Sequence, residues 1–292
     1  MKVIDFLIIF FLILLLIVGI CSAKEIYVSP VSIEPLPEDS RPSVEIPIIM
    51  YHGIIADSSK EKEYFISKSR FESDLKWIQQ EGYTTIFPSQ LIDYVENGAA
   101  LPEKPIILSF DDGYCNNYIN AFPLLQKYEM KATIAVIGIE SDISSNDVYR
   151  VPVSCNLSWG EIALLSKSGL IEFSNHSYDL HETNRGRKGA NIKSGESVDH
   201  YREVLTEDLI KNQSLIETAT GRLPNVFVWP FGAYPQNGCA DLILKDLGFK
   251  ATFNSYQRTS TVEKGNADSL FGLGRYLRNP KFNMEDIKKI KG

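Results

Sequence analysis

Beyond Pro47 the chain keeps one rhythm: a short apolar run, a polar turn, then an amphipathic segment. Pro105–Phe110, Ala132–Ile137, Ile171–Phe173, Asn225–Trp229 and Ala251–Phe253 are short and apolar enough to be buried strands, and Ile46–Met50 is an earlier run of the same kind. Between them, Phe71, Leu75 and Ile78 share one helical face before a stop at Gly82. Ser89 is expected to cap a short helix through Leu91 and Tyr94 to Gly98. Further helices are expected over residues 121–130, 159–168, 200–218 and 241–247, with a polar interruption at 182–197. Strand–helix units repeated over about 240 residues predict a parallel α/β body, either a (β/α) barrel or an open doubly wound sheet. Both architectures gather their chemistry at the carboxyl ends of the strands.

Two segments of different character precede this body. From Phe6 to Cys21 every residue except Gly19 is apolar, with Lys2 before the run and Ser22-Ala23 after it. That order matches a secretory signal, so residues 1–23 are expected to be a signal peptide or, if uncleaved, a membrane anchor. The rest of the chain would then be extracellular or at the cell surface. Residues 24–45 hold Pro30, Pro35, Pro37 and Pro42 among serines and acidic residues, a composition that suits an extended tether. The body is assigned to residues 46–292. A formal charge of −7, from 30 basic and 37 acidic side chains, gives no support to nucleic-acid binding. Loss of the signal would leave Cys115, Cys155 and Cys239, enough for one disulfide and one thiol, with Cys155–Cys239 the expected pair.

The residues that follow the strands carry the functional signal. Asp111-Asp112-Gly113 follows the first of these strands, Asn175-His176 the third and Pro230-Phe231-Gly232 the fourth, while Tyr51-His52-Gly53 ends the earlier run. Adjacent carboxylates repel unless a cation separates their duties, and successive side chains at a strand end point apart. One aspartate can therefore ligate a metal while its neighbour addresses water. Of the four histidines, His176 and His181 flank a strand exit, and two imidazoles with one carboxylate leave open coordination positions. His200, beside Asp199 and Arg202, reads as a solvated helix face, and Arg185, Arg187, Lys188 and Lys193 as a solvated basic loop. Ser109 and Ser177 lie outside any G-x-S-x-G elbow, which argues against a serine hydrolase. Trp229 and Tyr234 are candidates for an apolar wall against substrate, or for plain core.

Together these motifs resemble the polysaccharide deacetylase family, with its NodB homology domain and carbohydrate esterase family 4 chemistry. Ser109-Phe110-Asp111-Asp112-Gly113 resembles its [TS]-F-D-D-G motif, and His176 to His181 its histidine motif in the H-S-Y-D-L-H form. Met50-Tyr51-His52-Gly53-Ile54 is similar to the branch that contains poly-N-acetylglucosamine deacetylases. The resemblance spans about residues 46–280 and implies a distorted (β/α) barrel with fewer than eight complete units. It also implies hydrolysis of N-acetyl groups on an N-acetylglucosamine-containing polysaccharide. Asp112, His176 and His181 would hold one divalent metal, most simply Zn2+, although Co2+, Ni2+ or Fe2+ suit the same ligands. Asp111 would be the base, and the backbone N–H of Phe231 an oxyanion donor. Two departures stand out. Val228 occupies the position where many members carry an arginine that orients the base, and no histidine follows His200 to act as the late general acid. His52 is the candidate replacement acid and Arg275 the candidate orienting residue. A glycan-binding pseudoenzyme of the same fold is the alternative reading.

Overall fold

The computed structural model describes residues 42–289, apart from 148, 150, 152–154, 184–185 and 236–237. The apolar N-terminal run and residues 24–41 lie outside the described residues, and with them the expectations of a signal, anchor or tether. Ser43–Ile46 is a strand, so the folded body takes in residues that the proline-rich reading assigns to the tether.

This first strand, β1, pairs antiparallel with a late one and stands apart from the main sheet. β2 (Ile48–Tyr51) is buried at every residue. β3 (Gly53–Ile55) and β4 (Phe65–Ser67) form a small parallel pair above it in sequence. Next come α1 (Lys68–Gln80), β5 (Thr84–Thr85), α2 (Pro88–Asn97) and β6 (Pro105–Phe110). They are followed by α3 (Phe122–Tyr128), β7 (Ala132–Val136), α4 (Gly138–Asn146), α5 (Trp159–Ser166) and β8 (Ile171–Asn175). The chain then runs through α6 (Val198–Thr220), β9 (Val226–Val228), α7 (Cys239–Asp246), β10 (Ala251–Phe253), β11 (Ser260–Glu263) and β12 (Tyr276–Leu277).

The main sheet is parallel in the order β10–β9–β8–β7–β6–β2–β12, with β5 beside the start of β6. The centre reads as the sequence predicts: β6 is buried at all its residues because strands flank it and helices cover it. The sheet curls. Leu273 donates its N–H to Thr252 O and accepts from Asn254 N–H, both at 2.9 Å, while Leu277 lies opposite Met50. Residues 273–277, which include the end strand β12, thus bridge β10 at one edge of the sheet to β2 near the other. The result is a distorted barrel of fewer than eight strand–helix units.

Local chemistry explains most helix boundaries. The Ser67 side chain accepts from Arg70 N–H to start α1, which buries Phe71, Leu75 and Ile78 as their spacing predicts. Helix α2 begins at Pro88, whose fixed φ suits a first helical position, so Ser89 lies inside the first turn rather than capping it. Gly98 and Gly221 end α2 and α6 in the left-handed conformation. Helix α4 was not anticipated, because its short, serine-rich sequence carries little apolar periodicity.

Two further expectations are corrected. The disulfide joins Cys115 to Cys155, with Cα atoms 5.5 Å apart, and Cys239 starts α7 outside it. Long-range strand order, which Cys spacing does not encode, brings Cys115, two places after the Asp-Asp-Gly turn, against the approach to α5. Arg187 belongs to no solvated run: it is buried, donating to both carboxylate oxygens of Glu196 and to Asn191 O.

Immediately after β12, Arg278 is buried and donates to both oxygens of Asp74 on α1, at 2.7 and 2.8 Å. Tyr51 OH reaches the same carboxylate at 3.3 Å. Removing the guanidinium would strand that carboxylate. Arg278→Met is therefore expected to lower the unfolding free energy by about 3–5 kcal/mol, measured by urea denaturation.

Candidate metal centre and catalytic cleft

The polar residues at the strand ends meet in a cleft of about 550 Å³, lined by His52, Asp111, Asp112, His176, His181 and Phe231 among others. After β6 the backbone turns sharply: Asp112 (φ 67°) and Gly113 (φ 66°) are both left-handed. For a residue with a Cβ this conformation costs roughly 1–2 kcal/mol, so the surroundings must hold it. It sends the two carboxylates in different directions, Asp111 toward Arg275 and Asp112 toward the histidines.

His176 follows β8 and is buried. Its Nδ1 lies 2.7 Å from Val228 O. A carbonyl only accepts, so Nδ1 carries the proton and a neutral ring presents a lone pair at Nε2. That Nε2 is 3.4 Å from Asp112 Oδ1, and His181 Nε2 is 3.4 Å from the same oxygen. Asp112 Oδ1 is buried and has no hydrogen-bond partner among the described residues. One donor atom from each of the three residues lies within 4.8 Å of the others. Ligands of a tetrahedral ion bound at about 2.1 Å stand roughly 3.4 Å apart, the separation of each imidazole Nε2 from Asp112 Oδ1. The donor set therefore fits a divalent ion with open coordination positions.

Helix α6 holds the histidine loop. Asp208 accepts the N–H groups of Tyr178 and Asp179, each at 2.7 Å. One turn on, Asn212 is buried and donates to Ser177 O, Asn175 Oδ1 and Val136 O. These bonds stabilise Ser177 in its left-handed conformation (φ 71°), which lets His176 and His181 face one point.

The electrostatics are consistent with a cation there. Burial opposes ionisation of Asp112, yet the His176 contact and the surrounding imidazoles hold its carboxyl well below the ordinary range. Burial and the charge of His176 push His181 down to about 4, leaving its lone pair available at neutral pH. Burial also lowers His176, but Asp112 and Asp111 outweigh it and raise the group, a sign that this corner favours one positive charge.

The polysaccharide deacetylase family model matches residues 98–253, just over half of the chain. The chain belongs to that family. It is 26% identical over 249 residues to poly-beta-1,6-N-acetyl-D-glucosamine N-deacetylase of Escherichia coli K12, covering 78% of this chain and 36% of that protein. A Staphylococcus aureus protein of the same name is 26% identical over 205 residues, 70% of this chain and 66% of its own. The chain thus spans about a third of the first relative's length and about two thirds of the second's. Among solved structures, a de-N-acetylase from Aggregatibacter actinomycetemcomitans superposes with a TM-score of 0.71 at 26% identity, covering 84% of this chain and 99% of that one. IcaB from Ammonifex degensii gives 0.65 at 25% identity, covering 81% and 92%.

Within this polysaccharide deacetylase fold, Arg275 is fully buried and grips Asp111 with two N–H···O bonds of 2.6 and 2.8 Å. It also donates to Ser109 Oγ at 3.0 Å and to Asn254 O at 2.8 Å. Burial alone would raise Asp111, but the guanidinium and nearby imidazoles carry it below its ordinary value. The pairing thus stabilises the fold above about pH 4, the unfolded carboxyl's range, and that contribution fades as pH falls through the lower native value. His52 is half-buried with its ring 4.7 Å from that of Tyr64, and burial lowers its pKa although Asp111 and Asp112 pull it up. The Phe231 ring stacks 4.3 Å from His181, with its backbone left-handed at φ 57°.

Trp229 and Tyr234 do not line the cleft. Trp229 is wholly buried against Phe227, and Tyr234 packs on Trp229 and donates its hydroxyl to Asp241, so both finish the core between α6 and α7. His200 is exposed beside Glu196 and Glu203, as its flanking charges suggest. Tyr64 and Tyr114 also line the cleft, although no residue type or spacing marks them in the sequence, and Lys188, read above as part of a solvated basic loop, borders it as well. Wild-type protein is expected to bind one divalent ion per chain by titration calorimetry. Asp112→Ala and His181→Ala should each lose that binding while keeping the wild-type far-ultraviolet spectrum.

Proposed function

We propose that this chain is a metal-dependent N-deacetylase that hydrolyses acetamide groups of an N-acetylglucosamine-containing polysaccharide outside the cell or at its surface. The observation that carries this reading is the division between adjacent carboxylates. Asp111 is clamped in its ionised form by Arg275, while Asp112 turns an unpartnered oxygen toward two imidazole lone pairs. Relatives named as poly-beta-1,6-N-acetyl-D-glucosamine N-deacetylases support the substrate class. The apolar run from Phe6 to Cys21 supports export, with membrane attachment if the run is retained.

Asp112, His176 and His181 would hold the metal, for which Zn2+ suits the donor set best. A bound divalent ion would acidify a water molecule and polarise the acetyl carbonyl. Asp111 accepts the proton of the attacking water, and Arg275 orients it and keeps it ionised. The Phe231 N–H faces the developing negative charge on the carbonyl oxygen, a contribution of a few kcal/mol in comparable sites. His52 must enter the step protonated, a form that burial opposes and the neighbouring Asp111 and Asp112 favour, and it gives that proton to the leaving amine; the proton taken up by Asp111 restores it after product leaves. A guanidinium reaching Asp111 from the far end of the chain weighs against the pseudoenzyme alternative, which drew support from the missing arginine at position 228.

Asp111→Asn is expected to reduce acetate release from N-acetylglucosamine oligomers by about 10²–10⁴-fold while metal stays bound. Wild-type turnover in that variant would reject the reading of Asp111 as the base. For His52→Ala the same assay should show a loss of at least about 10²-fold with unchanged metal affinity, and undiminished turnover would remove His52 from the mechanism.

A further inference from the structure

We propose that the Cys115–Cys155 disulfide and Asn156 are positioning residues for the metal ligand Asp112, setting the affinity of the site from outside its ligand set. The inference rests on the reading of Asp112, His176 and His181 as a metal centre.

Two consecutive left-handed residues at Asp112 and Gly113 are a conformation that β6 does not impose and that the aspartate resists. Residues 155–157 hold it. Asn156 Nδ2 donates to Asp112 O at 2.6 Å, and Leu157 N–H donates to Gly113 O at 2.7 Å. Cys115 N–H donates to Cys155 O at 2.9 Å, beside an antiparallel bridge between Tyr114 and Asn156. The carbonyls of both left-handed residues are thus taken by this one segment.

Residues 155–157 are anchored on each side. On one side Leu157 is fully buried, and Ser158 caps α5 by accepting from Glu161 N–H. On the other side the anchor is the disulfide, which bonds Cys155 to the residue two places after Gly113. Both sulfur-bearing residues are buried, so the bond lies within the packing under the turn. Opening it would leave that side of Asn156 to the Cys115 N–H bond and the Tyr114 bridge alone, and would loosen the restraint that keeps Asp112 Oδ1 at 3.4 Å from both Nε2 atoms.

The disulfide also closes a loop with a sequence separation of 40, so its loss lowers global stability through the unfolded chain. A test must separate that effect from positioning. Dissociation constants for Zn2+ and Co2+ are measured by competition with a chromophoric chelator, at a temperature where circular dichroism shows each variant folded. Asn156→Ala and Cys115→Ser/Cys155→Ser are each expected to bind metal about 10–100-fold more weakly than wild type. Acetate release should recover when metal is added in excess, and because each variant is already folded at that temperature the recovery reads site occupancy rather than refolding. The combined variant should lose less than the product of the separate losses, because both act on one turn. Folded variants with affinity within about twofold of wild type would overturn the proposal, as would an activity loss that excess metal does not restore. Should the cysteine variant not fold, Asn156→Ala decides alone, with Asn156→Gln expected to recover part of the affinity. Wild-type protein that binds no metal would instead remove the metal-centre reading on which the proposal stands.

Discussion

The ion pair between Asp111 and Arg275 is the constraint on which most of the structure turns. Taking two charges out of water costs several kcal/mol per ion, and only near-complete hydrogen bonding offsets it. Arg275 meets that demand with two bonds to Asp111, one to Ser109 Oγ and one to Asn254 O. These partners lie on β6, at its end and beyond β10, so the pair can be satisfied only if residues 273–277 lie between β10 and β2. The interaction that neutralises a buried carboxylate thus also brings the two ends of the sheet together.

The same pairing sets the charge balance of the cleft. Arg275 neutralises Asp111 but makes no bond to Asp112, and His176 has already committed Nδ1–H to Val228 O. What remains is a buried carboxylate oxygen and two imidazole nitrogens facing each other with no proton assigned among them. A buried carboxylate oxygen left without a hydrogen bond is unfavourable, and a cation relieves it. The cleft is therefore matched to a metal because of where its hydrogen bonds have gone, as well as because of which residues are present.

Unfavourable backbone conformations occur where this matching is made. Asp112, Ser177 and Phe231 are non-glycine residues with positive φ, each at the end of a strand, and each directs a group into or beside the cleft. Each is held from elsewhere: Asp112 by residues 155–157, Ser177 by Asn175 and Asn212, and Phe231 within the turn closed by Gly232 N–H to Trp229 O. Strain of this kind persists only where the surrounding packing over-determines the backbone. It places the cost of the site in the scaffold, in helices and loops outside the Asp112, His176 and His181 cluster.

The amino-acid sequence by itself determined the central strands, the helices with clear apolar spacing, and the candidate metal-ligand set. Those features rest on contacts between near neighbours: the 3.6-residue spacing of Phe71, Leu75 and Ile78, the unbroken apolar run of β6, and motifs in which ligand and strand end are adjacent. Only the tertiary structure decided that Cys115 pairs with Cys155 rather than Cys155 with Cys239. It also decided that Arg187 is buried against Glu196, that Trp229 and Tyr234 belong to the core, and that Arg275 reaches Asp111 across 164 positions of sequence. Such pairings depend on the order in which strands and loops are laid beside one another, and no local periodicity or residue spacing carries that order.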